Sequence, residues 1–345
     1  MLTLRQGTAP PEASVTFTAC DQARYVAAAV NALLDQQGIV LELLLSDDAS
    51  TDGTAEIIRQ TCANYAGPHT VRLREGQSRL GLDHFGELAR LAQCDFQIMA
   101  HADDVAEPNR CARLKQEADR TGAAVVSSNG WLLDEHGRRH GLFCRTFETG
   151  KIELSEMLER GSQKPMLGAF LGWRREVYTR FPPLNEQYLP YGHDTLLCFR
   201  ATLLGGMHYL NEPLLHYRRH EQQWSNEYSP AATIEIQREA QLAHWASLRR
   251  AMLRDLQYLR ETSPGDSRQE SWRQAEDLVR QSREKIQEEW LPLRDQLRRS
   301  GLRATWIPRE EYRRAQTGNH RPIPTWAWQY WELLKQVRWK LTGKR

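Results

Sequence analysis

Four short clusters in the 345-residue chain combine residue types that can do chemistry. The first is Ser46-Asp47-Asp48-Ala49-Ser50-Thr51-Asp52-Gly53-Thr54. Its carboxylates can accept hydrogen bonds from a nucleobase or ribose, while Ser50, Asp52 and Gly53 equally supply the chemistry of a capped strand-to-helix loop. The second is His101-Ala102-Asp103-Asp104. Adjacent carboxylates directly after a buried strand are costly unless solvated, paired or bound to a cation. A hard ion such as Mg2+ or Mn2+, shared with the oxygens of a diphosphate, suits them, and plain surface acidity is the alternative. The third is Tyr191-Gly192-His193-Asp194 ahead of a helical pattern, where the plain reading of Asp194 is a helix N-cap. The fourth is Tyr217-Arg218-Arg219-His220, a basic and aromatic segment that can face a diphosphate or pack as structure.

Such clusters need a scaffold that brings several segments to one edge. Ser14–Ala19 reads as a buried strand, and Tyr25, Val26, Ala29, Val30, Leu33 and Leu34 then recur at helical spacing. Leu41–Ser46 is a second strand, Thr54–Tyr65 a second helix, Thr70–Leu73 a third short strand and Phe96–Ala100 another, with Pro108 opening the helix that follows. Strands alternating with helices predict a parallel sheet with covered faces, where ligands bind beyond the carboxyl ends of the strands. Both acidic clusters lie at such ends. No GxGxxG and no GxxxxGK[ST] occurs, which removes the warrant for a dinucleotide-binding dehydrogenase or a P-loop enzyme. A domain that binds nucleotide through carboxylates and a metal remains.

In chain order, SVTFTACDQARYV, LLLSDDASTDGT, RLGLDHF, IMAHADDVAEPNR, GAFLGWRREVYTRF, YGHDTLLCFRATLLGG and EPLLHYRRHEQQWS resemble successive blocks of the bacterial family 2 glycosyltransferases, from Ser14 to Ser225. The resemblance implies an α/β GT-A fold: a Rossmann-like, mostly parallel sheet flanked by helices, here with a C-terminal helical extension. It implies a nucleotide diphosphate sugar donor, a saccharide acceptor that can be lipid-linked, Mn2+ or Mg2+, and an inverting transfer serving surface glycan such as O-antigen or capsule. Residue by residue, it implies that Thr18 and Cys20 line the base pocket and that Asp47 recognises the base. It places Arg79 at the diphosphate and Asp103 near ribose and metal. Asp104 becomes a metal ligand, joined by Asp103 and His220, and Asp194 the general base. Four positions depart from the family's pattern: Cys20-Asp21 for Tyr-Asn, Arg79 for Asn, His101 for the first Asp of DxDD, and His193 for Glu. The alternative they leave open is a catalytically silent GT-A binding or scaffold subunit.

Charge divides the chain. Residues 1–229 carry 23 basic against 29 acidic side chains, and residues 230–345 carry 23 against 15 with eight of the eleven tryptophans. Three regions are expected: a GT-A domain over 1–229, a helical hairpin over 230–300 disturbed near Pro292, and a basic, Trp-rich tail over 301–345. The hairpin's apolar face either packs on the first domain or forms a homodimer interface. The tail, ending in Trp326-Ala327-Trp328-Gln329-Tyr330-Trp331 and Gly343-Lys344-Arg345, either packs back or lies at an anionic membrane surface. No nucleic-acid motif accompanies the charge, so no nucleic acid is expected. Six scattered cysteines without a CxxC pair, no signal-peptide pattern and no long apolar run predict a cytoplasmic protein, with any membrane contact peripheral at the inner face.

Overall fold

The computed structural model describes residues 1–160, 166–184, 192–220 and 234–299. Two compact units divide the chain: residues 1–220 with 251–279, and residues 221–250 with 280–345. The boundary expected at 230 from charge falls inside the second unit.

In the first unit, the described residues form one mixed sheet of eleven strands. In chain order these are β1 (Leu2–Arg5), β2 (Ala13–Ala19), β3 (Leu41–Asp47), β4 (Thr70–Glu75), β5 (Phe96–His101), β6 (Val105–Ala106), β7 (Val125–Leu133), β8 (Arg139–Leu142), β9 (Gly150–Ile152), β10 (Leu171–Arg174) and β11 (Met207–Arg218). The spatial order is β1-β4-β3-β2-β5-β10-β7-β11-β6, with β8 beside β7 and β9 beside β11. The block β4-β3-β2-β5 is parallel, as the strand–helix alternation predicts. Beyond it β10 runs antiparallel to both β5 and β7, and β7 pairs in parallel with β11. Strands β5, β7 and β11 therefore share one direction.

The parallel strands are near-continuous apolar runs because helices cover both faces; all seven residues of β3 are buried. Even Glu42, fully buried in β3, is satisfied by Ser14 Oγ at 2.6 Å, the Gln93 N–H at 2.8 Å and Arg72 at 2.9 Å. The flanking helices are α1 (Val26–Leu34), α2 (Thr54–Cys62), α3 (Leu82–Leu91), α4 (Arg110–Thr121), α5 (Leu154–Arg160), α6 (Glu176–Thr179) and α7 (His193–Thr202). Pro108 does not open α4 as expected. It lies two residues earlier, where its carbonyl accepts the Gln37 N–H at 2.8 Å.

Two long helices follow, α8 (Ile234–Thr262) and α9 (Gln269–Arg299), as the apolar periodicity predicts. The hairpin tip belongs to the first unit. There Asp255 forms a fully buried ion pair with Arg200 at 2.7 Å, and the Trp272 indole N–H donates to the Leu203 carbonyl at 3.0 Å. In the second unit Leu242, Ala246 and Ile286 pack with Trp245, Trp290 and Leu293. Helix α9 runs on through Pro292, where a disturbance was expected, and the neighbouring Trp290 and Leu293 pack against that same cluster. Among the described residues no helix is long and apolar enough to cross a membrane. The expected Trp-rich tail, 301–345, lies outside the described residues.

Candidate active site

Pairing register aligns the first two clusters: Ala19 lies opposite Asp47, and Thr18 opposite both Ser46 and His101. Asp47 is buried. Its Oδ2 accepts the Ser50 N–H at 2.9 Å, while its buried Oδ1 accepts no hydrogen bond among the described residues. A buried acceptor left unsatisfied costs about 1–3 kcal/mol. The other two aspartates of that cluster shape loops. Asp48 accepts the N–H groups of Leu80 and Gly81 at 2.8 and 3.0 Å, and Asp52 accepts those of Ala23 and Thr54 at 2.9 and 3.1 Å. Asp21 and Ala49 hold left-handed backbone at φ 51° and 56°, a strain that cluster-forming loops at functional sites often carry. Arg79, expected at a diphosphate, is ion-paired with Asp21. The Cys20 thiol approaches the Asp48 carbonyl at 3.8 Å.

At the end of β5, His101 Nδ1 lies 2.9 Å from Thr18 Oγ1, and burial lowers the histidine's pKa. Asp103 Oδ2 is 3.1 Å from His220 Nε2, and Asp104 Oδ1 accepts the Arg218 N–H at 3.0 Å. Strands β5 and β11 thus converge at one carboxyl edge. Tyr25 touches the cluster: the Arg218 guanidinium lies 4.7 Å over its ring, and the His220 ring is 5.1 Å away. Burial, followed by the adjacent charge of Asp103, raises the Asp104 pKa well above its ordinary value. A carboxylate held under that penalty gains from a cation, and two carboxylates with one imidazole are a donor set that Mg2+ or Mn2+ accepts. The three expected ligands do not form a closed cage, however. Among the described residues no group of three such side chains converges, because Arg218 draws Asp104 Oδ1 toward β11 while Asp103 turns to His220.

Asp194 lies in the first turn of α7, where Gly192 takes the N-cap position with φ 79°. Its Oδ1 accepts the Thr195 N–H at 2.7 Å and its Oδ2 the Gly168 N–H at 3.0 Å, and burial raises its pKa. Gly168 opens a short 3-10 turn, Gly168–Phe170, that leads into β10. The turn sits tightly against β5: a Cβ added at Gly168 would meet Met99 Sδ at 2.7 Å and Asp194 Cβ at 3.7 Å. Asp194 is thereby held beside the strand whose end carries Asp103 and Asp104.

Residues 14–176, which span β2 to the start of α6 and include the first two clusters, match the model of glycosyl transferase family 2. This stretch is a family 2 glycosyltransferase domain. The chain is 24% identical over 237 residues to the uncharacterized glycosyltransferase alr2836 of Nostoc sp. strain PCC 7120, covering 66% of this chain and 70% of that protein. It is 28% identical over 130 residues to the putative glycosyltransferase EpsE of Bacillus subtilis, covering 37% of this chain and 46% of that protein. Among solved structures, S. aureus TarS 1–349 in complex with UDP-GlcNAc superposes with a TM-score of 0.51 at 15% identity, covering 84% of this chain and 92% of that one. The fold is GT-A, a mixed, mostly parallel sheet with C-terminal helices.

Within this glycosyltransferase domain, sequence reasoning misses two contributors. Tyr25 reads only as the first apolar position of α1, yet its ring lies against both Arg218 and His220. Arg110 belongs to none of the clusters, yet it is fully buried against β5. The arginine of PNR offers no periodic signal for burial.

Proposed function

We propose that the chain transfers a glycosyl group from a nucleotide diphosphate sugar to a hydroxyl of a saccharide acceptor, in one displacement that inverts the anomeric centre. One observation carries this reading: the unsatisfied Asp47 Oδ1 and the Asp103-Asp104-His220 group lie at carboxyl ends of strands of the same sheet, and Asp194, on α7, is held beside β5 through the Gly168 N–H. An N–H of the base would satisfy Asp47. Thr18 and Cys20 flank it at the end of β2, and Arg79 lies beside them through Asp21. Asp104, with Asp103 and His220 once they exchange their present hydrogen bonds for the ion, would hold Mn2+ or Mg2+, which when bound supplies neutralising charge for the departing diphosphate. Asp194 is fixed by two backbone N–H groups and takes the acceptor's proton during attack. That TarS, of the same fold, is complexed with UDP-GlcNAc supports this class of donor. The acceptor is a surface glycan, lipid-linked in a reading that gives the basic, Trp-rich tail a membrane role and the helical hairpin a dimer role.

The test is a panel of nucleotide diphosphate sugars, each assayed with and without Mn2+ for thermal stabilisation and for release of nucleoside diphosphate. Specific binding to the folded state must raise the melting temperature. A panel in which no donor stabilises the protein and none is turned over would overturn the proposal.

A further inference from the structure

Arg110, the first residue of α4, is fully buried although helix N-termini ordinarily leave such side chains in water. One nitrogen, Nη2, donates to two carbonyls: that of Met99 in β5 at 3.0 Å and that of Ala169 in the Gly168–Phe170 turn at 2.7 Å. Its Nε and Nη1 are buried and find no acceptor among the described residues. A guanidinium taken out of water with only part of its donors satisfied is destabilising in itself, and an apolar side chain would fill the same space without that cost. Besides a positive charge near Asp104 and His101, the guanidinium provides a bridge. It ties β5, which ends at His101 just before Asp103 and Asp104, to the turn whose Gly168 N–H holds Asp194 Oδ2. Met99 leaves no slack on the same path, since its Sδ would lie 2.7 Å from a Cβ at Gly168.

We propose that Arg110 is a positioning residue for transfer: it fixes the separation between the leaving-group end of the site and the general base by clamping the Gly168–Phe170 turn to β5. This rests on the reading of Asp194 as the base. Arg110 touches neither donor nor acceptor and acts through Asp194. Loss of the clamp lets the turn move, and a misplacement of about 1 Å can cost on the order of 100-fold in rate while binding is untouched.

The experiment is a double-mutant cycle in the full chain with Arg110→Met, Arg110→Lys, Asp194→Asn and Arg110→Met/Asp194→Asn, measuring kcat for transfer, KM for the donor and nucleotide affinity in Mn2+. Arg110→Met is expected to lower kcat by about 10- to 100-fold with donor KM and nucleotide affinity unchanged. Arg110→Lys, which keeps a donor for the two carbonyls, recovers part of the loss. The double variant is expected to be no slower than Asp194→Asn alone, because the clamp has no base left to place. If Arg110→Met does not fold, Arg110→Lys takes its place in the cycle with a smaller, equally non-multiplicative loss. Multiplicative losses in the double variant, unchanged kcat in the single one, or a nucleotide affinity that falls in step with kcat would overturn the proposal while leaving Asp194 as base. Near-normal transfer by Asp194→Asn would instead remove the base reading, and this inference with it.

Discussion

Replacing Asp194 by Asn separates proton transfer from structural support at one side chain. The two carboxylate oxygens accept one backbone N–H each, from Thr195 at 2.7 Å and Gly168 at 3.0 Å. An amide offers a single acceptor oxygen, so one of those donors loses its partner at a cost of about 1–3 kcal/mol. An opposing effect comes from burial, which raises the Asp194 pKa. A carboxyl whose folded pKa lies above its unfolded value withdraws stability as pH rises through the folded pKa, so at neutral pH the uncharged Asn escapes a penalty that Asp carries. The two effects oppose each other. Since ~1 kcal/mol moves Tm by about 2–4 °C in a domain of this size, the variant is expected to melt within a few degrees of the parent. Transfer has no such compensation, because an amide cannot take the acceptor's proton: kcat is expected to fall by about 10²- to 10⁴-fold, which is roughly 3–5 kcal/mol of barrier. In the unmodified protein, the raised pKa moves the acid limb of the rate profile above that of an ordinary carboxylate, with activity lost as pH falls through it. The assay is steady-state release of nucleoside diphosphate, with donor affinity measured separately and the product's anomeric configuration read by NMR. A folded Asp194→Asn protein with near-normal turnover, or a product that retains the donor's configuration, would refute the reasoning.

Asp104→Ala is expected to abolish the Mn2+-dependent part of nucleotide stabilisation while the fold survives; a thermal-shift series at fixed nucleotide, with and without Mn2+, decides it, and an unchanged metal dependence counts against Asp104. Arg200→Met strands Asp255 in the core next to Arg254, and is expected to cost about 3–5 kcal/mol in a denaturant melt. A change below ~1 kcal/mol would show that the ion pair does not hold the hairpin tip. Deleting residues 324–345 is expected to weaken binding to anionic vesicles more than it weakens donor turnover, and an intact chain that does not bind such vesicles would remove the membrane role.

The parallel half of the sheet is legible because its strands are unbroken apolar runs ending in carboxylates: Ser14–Ala19, Leu41–Ser46 and Phe96–Ala100 all fall within observed strands. The antiparallel half is not. Strand β10 has only four residues and no usable period, and β11 is broken in its middle by Asn211-Glu212-Pro213, where the pairing register shifts. Of the site, the acidic strand ends stand out locally, but Asp103 and His220 meet across 117 positions, which no spacing rule reaches. Pattern also cannot apportion the carboxylates of SDDASTDGT. Asp48 and Asp52 are used up on loop N–H groups and only Asp47 keeps an unsatisfied oxygen, a division decided by tertiary geometry.

The hairpin tip also bears on how the protein is made. The catalytic unit is discontinuous in sequence: its sheet closes with β11, yet Arg200 waits for Asp255, and Leu203 for Trp272, from the far side of an intervening segment. At a synthesis rate of ~5–20 residues per second, the roughly fifty residues between His220 and Trp272 separate a nearly complete domain from its last core contacts by about 3–10 s. During that interval the growing chain holds Arg200 without its carboxylate and the Leu203 carbonyl without its indole donor. A nascent polypeptide halted before Asp255 is therefore expected to be a chaperone client, and the same sequence released beyond Trp272 is not.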